Sequence, residues 1–175
     1  MYFKYFPKIV YDIKGDGEVK LVTNILKRLM LRTEFIREQS VFDIYDVRDG
    51  DTPESIADEF YDDPELHWLV CYANNIVDRY HDWPMRFSQF QDYVADRYTD
   101  PDAVHHYEIT QQSGDTKITI NIGSDNTDHS GATAITNYEH EVELQDQKSR
   151  IRIIHPAYVE AIVSEFEKRM KEGNA

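Results

Sequence analysis

Two prolines, each preceded by a short polar residue, constrain this chain more than any other feature. Pro53 follows Gly50-Asp51-Thr52, and Pro64 follows Asp62-Asp63. A Thr or Asp side chain can accept a hydrogen bond from the exposed amides of a helix's first turn. Proline is tolerated at the first helical position because its missing N–H would have no partner there. Two such starts in close succession predict two short helices joined by a tight turn. The first carries the apolar stripe Ile56, Ala57 and Phe60 and stops at Tyr61-Asp62-Asp63. The second carries Leu66, Leu69, Val70 and Ala73 and stops at Asn74-Asn75. Ahead of both, Val41-Phe42-Asp43-Ile44-Tyr45-Asp46-Val47 reads as a strand running into the turn Arg48-Asp49-Gly50-Asp51.

The chain on either side mixes both periodicities. Tyr2, Phe3, Tyr5, Phe6 and Pro7 open it in extended form, either as an arm packed on its own core or as one docked on a neighbouring subunit. Gly15-Asp16-Gly17 makes a turn. Beyond it, Val22, Ile25, Leu26, Leu29 and Met30 fall on one helical face. Phe35-Ile36 reads as extended, and His81-Asp82-Trp83-Pro84 as irregular, with Trp83 either a core plug or an interface anchor. A helix is expected over residues 85–98 from Phe87, Phe90, Tyr93, Val94 and Tyr98. A hairpin follows, its strands at 104–110 and 116–122 flanking Gln112-Ser113-Gly114-Asp115. Residues 123–133 form a polar, mobile loop. Residues 137–149 form a helix with Tyr138, Val142 and Gln145 on one side and many carboxylates exposed. Arg150-Ile151-Arg152-Ile153-Ile154 reads as a short strand, and Pro156 starts a closing helix with Ile162, Phe166 and Met170 inward. The fold class is α+β.

Charge and composition exclude several functions. Nineteen Lys and Arg against 33 Asp and Glu give 19 − 33 = −14. That balance repels phosphate backbones and anionic headgroups, so neither a nucleic acid nor a membrane is an expected partner. Cys71 is the single cysteine, which excludes an internal disulfide, and it lies in an apolar run that suits a buried, inert thiol. No run approaches the roughly 20 apolar residues that span a bilayer. The start has no signal-peptide pattern, so a soluble chain in a reducing cytoplasm is expected. Among the histidines, His105 and His106 are adjacent and on a strand would face opposite sides. His67, His81, His129, His140 and His155 share no ligand spacing, and no metal is expected. Asp125-Asn126-Thr127-Asp128 lacks the glycine and distal Glu of a calcium loop. There is no nucleophile elbow or glycine-rich phosphate loop, and carboxylate pairs such as Glu141/Glu143 carry no information in so acidic a chain. The reading is of a non-enzyme without cofactor or small-molecule substrate.

Tyr45-x-Val47-x-x-Gly50-Asp51-Thr52-x-x-x-Ile56-Ala57, followed by Asn74-Asn75-Ile76-Val77-Asp78, resembles the LysM module: a strand, a Gly-Asp-Thr turn, two short helices and an asparagine ending the second. The module's closing strand is missing directly after Asp78. A similar segment occurs much later, at Gln147-Lys148-Ser149-Arg150-Ile151-Arg152-Ile153-Ile154-His155-Pro156. The expectation is therefore a LysM-like strand–helix–helix–strand core, split by an insertion, in which residues 151–154 pair antiparallel with residues 44–47. The corresponding division is an N-terminal arm and helix at 1–40, the first part of the module at 41–78, an insertion of helix, hairpin, loop and helix at 79–146, and a closing strand and C-terminal helix at 147–175.

Further residues extend the resemblance: Phe3, Tyr5-Phe6 and Pro7; Gly50-Asp51-Thr52-Pro53-Glu54; Tyr61-Asp62-Asp63-Pro64-Glu65-Leu66-His67-Trp68; Trp83; and Arg150-Ile151-Arg152-Ile153-Ile154. Together they are similar to the LysM-containing baseplate wedge protein of T-even-like contractile-tailed phages. That resemblance implies a structural subunit of the virion, assembled in the host cytoplasm, which contacts other wedge proteins and helps neighbouring wedges join around the hub. Tyr2, Phe3, Tyr5, Phe6 and Trp83 are the candidate interface residues. Gly50, Asp51, Thr52 and Asn74 mark the LysM-like turn. The alternative is a carbohydrate-binding module for N-acetylglucosamine polymers of the cell wall. A wall hydrolase working through carboxylates ranks last.

Overall fold

The computed structural model describes residues 2–27 and 41–172. After a 3-10 turn at Tyr2–Tyr5, the elements in chain order are β1 (Lys8–Asp12), β2 (Val19–Thr23), β3 (Phe42–Asp46), α1 (Pro53–Tyr61), α2 (His67–Ala73), α3 (Arg79–Asp82), α4 (Phe87–Arg97), β4 (Val104–Ser113), β5 (Thr116–Gly123), β6 (Thr133–Thr136), α5 (Asn137–Ser149), β7 (Arg150–Ile154) and α6 (Pro156–Glu172). The architecture is α+β, as the sequence pattern indicates. The chain divides into two compact units. One gathers Met1–Asp46, Asp51–Arg79 and Ile151–Ala175, and the other gathers Val47–Gly50 and Tyr80–Arg150.

In the first unit β3 pairs with β7 across a very long sequence separation. The backbone bonds Val47 N–H to Ser149 O, 2.9 Å, and His155 N–H to Val41 O, 2.8 Å, run in opposite senses along the two segments and make the pairing antiparallel. They also shift the register from the expected one, setting residues 151–154 against 42–45 instead of 44–47. The helix starts form as their prolines predict. Thr52 Oγ1 accepts from Ser55 N at 3.2 Å, while Ser55 Oγ accepts from Thr52 N at 2.9 Å, a reciprocal cap. Asp63 Oδ1 accepts from Glu65 N at 2.8 Å, opening a 3-10 turn, Pro64–Leu66, that runs into α2. The core joins Val41, Trp68, Leu69, Ala73 and Ile154 to Ile162, Phe166 and Met170 of α6. The Trp68 and Phe166 rings lie 4.6 Å apart.

The N-terminal segment departs from expectation. The opening residues coil into a 3-10 turn before β1 begins. The helical stripe expected from Val22 through Met30 does not form at its start, because Val19–Thr23 is β2, paired antiparallel with β1 from Lys8↔Thr23 to Asp12↔Val19. Local chemistry decides this. Gly15 and Gly17 take φ of +72° and +84°, and the Asp12 carboxylate accepts from the amides of Lys14, Gly15 and Gly17 at 3.1, 2.7 and 2.8 Å. The chain is thereby reversed, and β-branched Val19, Val22 and Thr23 follow in strand geometry. Leu29, Met30, Phe35 and Ile36 lie outside the described residues.

The second unit is a three-stranded antiparallel sheet in the order β5-β4-β6, with α4 and α5. β6 begins at Thr133, the last residue of the expected loop, and runs directly into α5, whose N-cap Thr136 accepts from Glu139 N at 3.1 Å. The segment expected to be irregular holds one helical turn, α3. Trp83, Phe90 and Val94 are buried. So is Glu141, an exception among the carboxylates of α5. Tyr98 Oη donates to Glu141 Oε1 at 2.7 Å and the Arg97 guanidinium lies 3.4 Å away, so the buried carboxylate is compensated.

His105 and His106 do not face opposite sides. The β4–β6 register shifts between Val104 and His106, so that the bulged strand presents both imidazoles together with their Nδ1 atoms 2.9 Å apart.

Candidate functional site

The turn expected to be LysM-like is built from side chains that satisfy backbone groups. Gly50 sits at φ +89°, where a side chain would strain the backbone. Tyr45 Oη donates to Asp51 Oδ2 at 2.8 Å, and the Tyr45 ring meets Phe60 edge-on at 5.3 Å. Thr52 caps α1. Asn74, at the end of α2, reaches β7: its Nδ2 donates to Arg152 O at 2.8 Å, and its Oδ1 accepts from Arg152 N at 2.8 Å. It thus behaves as one more residue of a sheet ladder. The same Nδ2 donates to Val70 O at 2.9 Å. Arg152 answers by donating to Ala73 O at 3.0 Å and setting its guanidinium 5.2 Å from the Phe42 ring centre.

Beside this frame an open cleft of about 490 Å³ is lined in part by Pro53, Glu54, Cys71, Tyr72, Val77 and Arg79. Arg79 donates to Glu54 Oε1 at 2.6 Å across that lining. Burial pushes the Cys71 thiol up, which keeps it protonated and unreactive.

The expected interface aromatics separate in the structure. Tyr2 opens the 3-10 turn. Phe3 is 51% exposed, whereas Phe6 is 8% exposed and belongs to the core. Tyr5 packs partly against that core, edge-on to Phe166 at 6.0 Å. Trp83 is buried within the second unit.

The apolar surface lies a few residues further on. Val10 and Leu21 are cross-strand partners in the β1–β2 hairpin and each is 65% exposed; Val19, on the same face, is 61% exposed. Neither strand has a second neighbour among the described residues. A pair of strands alone is marginal in water, and its outer edges offer unpaired backbone groups to another chain. Lys27 tethers the hairpin's end, donating to Met170 O at 2.6 Å.

Among the described residues, a group able to hold a metal lies in the second unit. His105, His106 and His140 bring ligand nitrogens within 4.8 Å of one another. Desolvation, reinforced by the imidazoles of His140 and His106, pushes His105 below the usual histidine range.

A search of curated proteins finds no match. The family model described as base plate wedge protein 53 matches residues 1–109. The chain belongs to this family. As a base plate wedge protein 53 family member it is a structural component of a phage tail baseplate and hence of the virion. The match takes in the β1–β2 hairpin, the Gly50 turn, both proline-started helices and α4, and it ends within β4. No helix among the described residues is long and apolar enough to cross a membrane.

Sequence reasoning missed the hairpin face, Glu141 and the histidine cluster. The hairpin had a signal: Val19-Lys20-Leu21-Val22-Thr23 is rich in β-branched residues and follows a turn with two glycines. The cluster had none, since a bulge and a helix from another part of the chain make it.

Proposed function

We propose that this base plate wedge component joins neighbouring baseplate proteins, and through them neighbouring wedges, by means of its N-terminal β1–β2 hairpin. The observation that carries this reading is the exposed Val10–Leu21–Val19 face on a sheet that has two strands among the described residues. Charge supports it. From residue 8 to residue 27, Lys8, Lys14, Lys20 and Lys27 against Asp12, Asp16 and Glu18 give 4 − 3 = +1, while the whole chain is −14. The hairpin therefore lacks the acidic excess that would oppose docking on subunits as negative as this one. Phe3, 51% exposed, lies just upstream in the sequence and is a further apolar residue available to a partner. The frame of β3, α1, α2 and β7, with residues 80–150 between its halves, supports a LysM-like reading in which the frame is a rigid platform holding the hairpin.

The test uses Val10→Asp and Leu21→Asp in otherwise intact wedge preparations. The expected result is a folded subunit that no longer brings wedges together, seen as separate wedges by sedimentation and negative-stain imaging. Normal baseplate completion by both folded variants overturns the hairpin's role. Removing residues 2–7 is a poorer test, because it takes Phe6 out of the core and destabilises the subunit as well.

A further inference from the structure

We propose that His105, His106 and His140 form a three-imidazole site for a divalent transition metal of the zinc type, fastening α5 to the central strand of the second unit's sheet. The first argument is geometric. The bulge in β4 turns two adjacent histidines to one side, with their Nδ1 atoms 2.9 Å apart. His140 comes from α5 and stacks on His105 with ring centres 4.0 Å apart and planes 10° from parallel. Around a tetrahedral ion with bonds of about 2.0–2.1 Å, neighbouring donors sit about 3.3 Å apart. The histidine pair therefore needs to open by only a few tenths of an ångström.

The second argument concerns the proton. His106 is 4% exposed and its far nitrogen, Nε2, lies 3.1 Å from Glu108 Oε1. Glu108 is two residues along the same strand, past a further register shift between Tyr107 and Glu108. A carboxylate at that nitrogen holds the ring proton on Nε2 and leaves the Nδ1 lone pair directed at the other two imidazoles. Outer-shell carboxylates orient metal-bound histidines in this way. Glu141 is close in sequence but is engaged by Tyr98 and Arg97. The protein thus supplies three nitrogen donors, and water completes the set.

The third argument is rigidity. α5 starts directly from β6, which pairs with β4. Its first residues are also tied down by Asn137 N–H to Ala103 O and Tyr138 N–H to Pro101 O, both 3.0 Å. All three ligands thus sit on elements whose relative placement is fixed before an ion arrives. Imidazole donors select zinc, nickel, cobalt or copper over magnesium and calcium.

The experiment uses the full chain without a histidine tag, stripped with a chelator and titrated with Zn²⁺ and with Co²⁺. One ion is expected to bind with micromolar or tighter affinity, Co²⁺ giving visible absorption bands of tetrahedral intensity and Zn²⁺ raising the melting temperature. His105→Gln and His140→Gln, both at half-buried positions and checked for folding by circular dichroism, should each weaken binding at least tenfold. Glu108→Gln should weaken it about 10–100-fold through His106. Binding no tighter than millimolar overturns the site. So does tight binding that survives both histidine variants undiminished, since the ion would then sit elsewhere.

Discussion

Among its described residues the first unit holds two sheets of two strands each, and they are opposites in how they are held. β1 and β2 are joined by a short glycine turn, and every pairing contact is local. β3 and β7 are separated by most of the chain. Loop closure alone favours the hairpin. Yet the distant pair is the buried one: Ile151, Ile153 and Ile154 of β7 are enclosed, Val41 beside β3 is in the core, and Asn74 adds side-chain bonds to the ladder. The local pair keeps Val10, Val19 and Leu21 in solvent. Pairing is easy to form and burial makes it durable. A strand pair that forms early and stays uncovered is suited to completion by a partner, and the covered pair is suited to being a frame.

Substitutions can break or sharpen that contrast. The largest effect is expected from Ile153→Ala, which empties a fully enclosed site and should cost about 2–5 kcal/mol in denaturant unfolding. Asn74→Ala should follow at about 1–3 kcal/mol, because it leaves partly buried backbone groups of Val70 and Arg152 without their side-chain partner. In the hairpin, Leu21→Asp should change unfolding stability by no more than about 0.5 kcal/mol while abolishing wedge association. A large loss of stability there would show the hairpin to be covered by its own chain and would erase the contrast.

The smallest effect concerns pH. The Gly17 amide, with those of Gly15 and Lys14, holds the Asp12 carboxyl below the usual carboxylate range. A depressed value means that the charged form favours the folded turn. Its contribution is therefore complete above the ordinary carboxylate range and is lost as pH falls through the depressed value. Amide exchange at Lys14, Gly15 and Gly17 should accelerate over that acid window, and Asp12→Asn should flatten the response.

Much of the fold was legible because its signals are local. The reciprocal cap at Thr52, the Asp63-Pro64 start, the closing helix from Pro156 and the hairpin around Gly114 each depend on a few consecutive residues, and each forms. The pairing of β7 with β3 was legible through a resemblance to a strand–helix–helix–strand motif, though the register came out shifted. The stretch after Gly17 was misread because Val22, Ile25 and Leu26 fit a helical period and a strand equally well over so short a span. Which one formed was decided by the cross-strand partners in β1. The candidate interface moved for a related reason. Aromatic content marks residues that gain from burial without saying what buries them, and Phe6 is buried by α6 while Phe3 is not.

From sequence alone, then, the chain's charge, its helix starts and its turns were determined, since capping, proline geometry and glycine conformations act over one turn of backbone. The tertiary structure decided which apolar residues remain in solvent, which carboxylate is enclosed and that three histidines from two elements meet. Those outcomes depend on atoms brought together from distant parts of the chain, and no short window of residues carries that information.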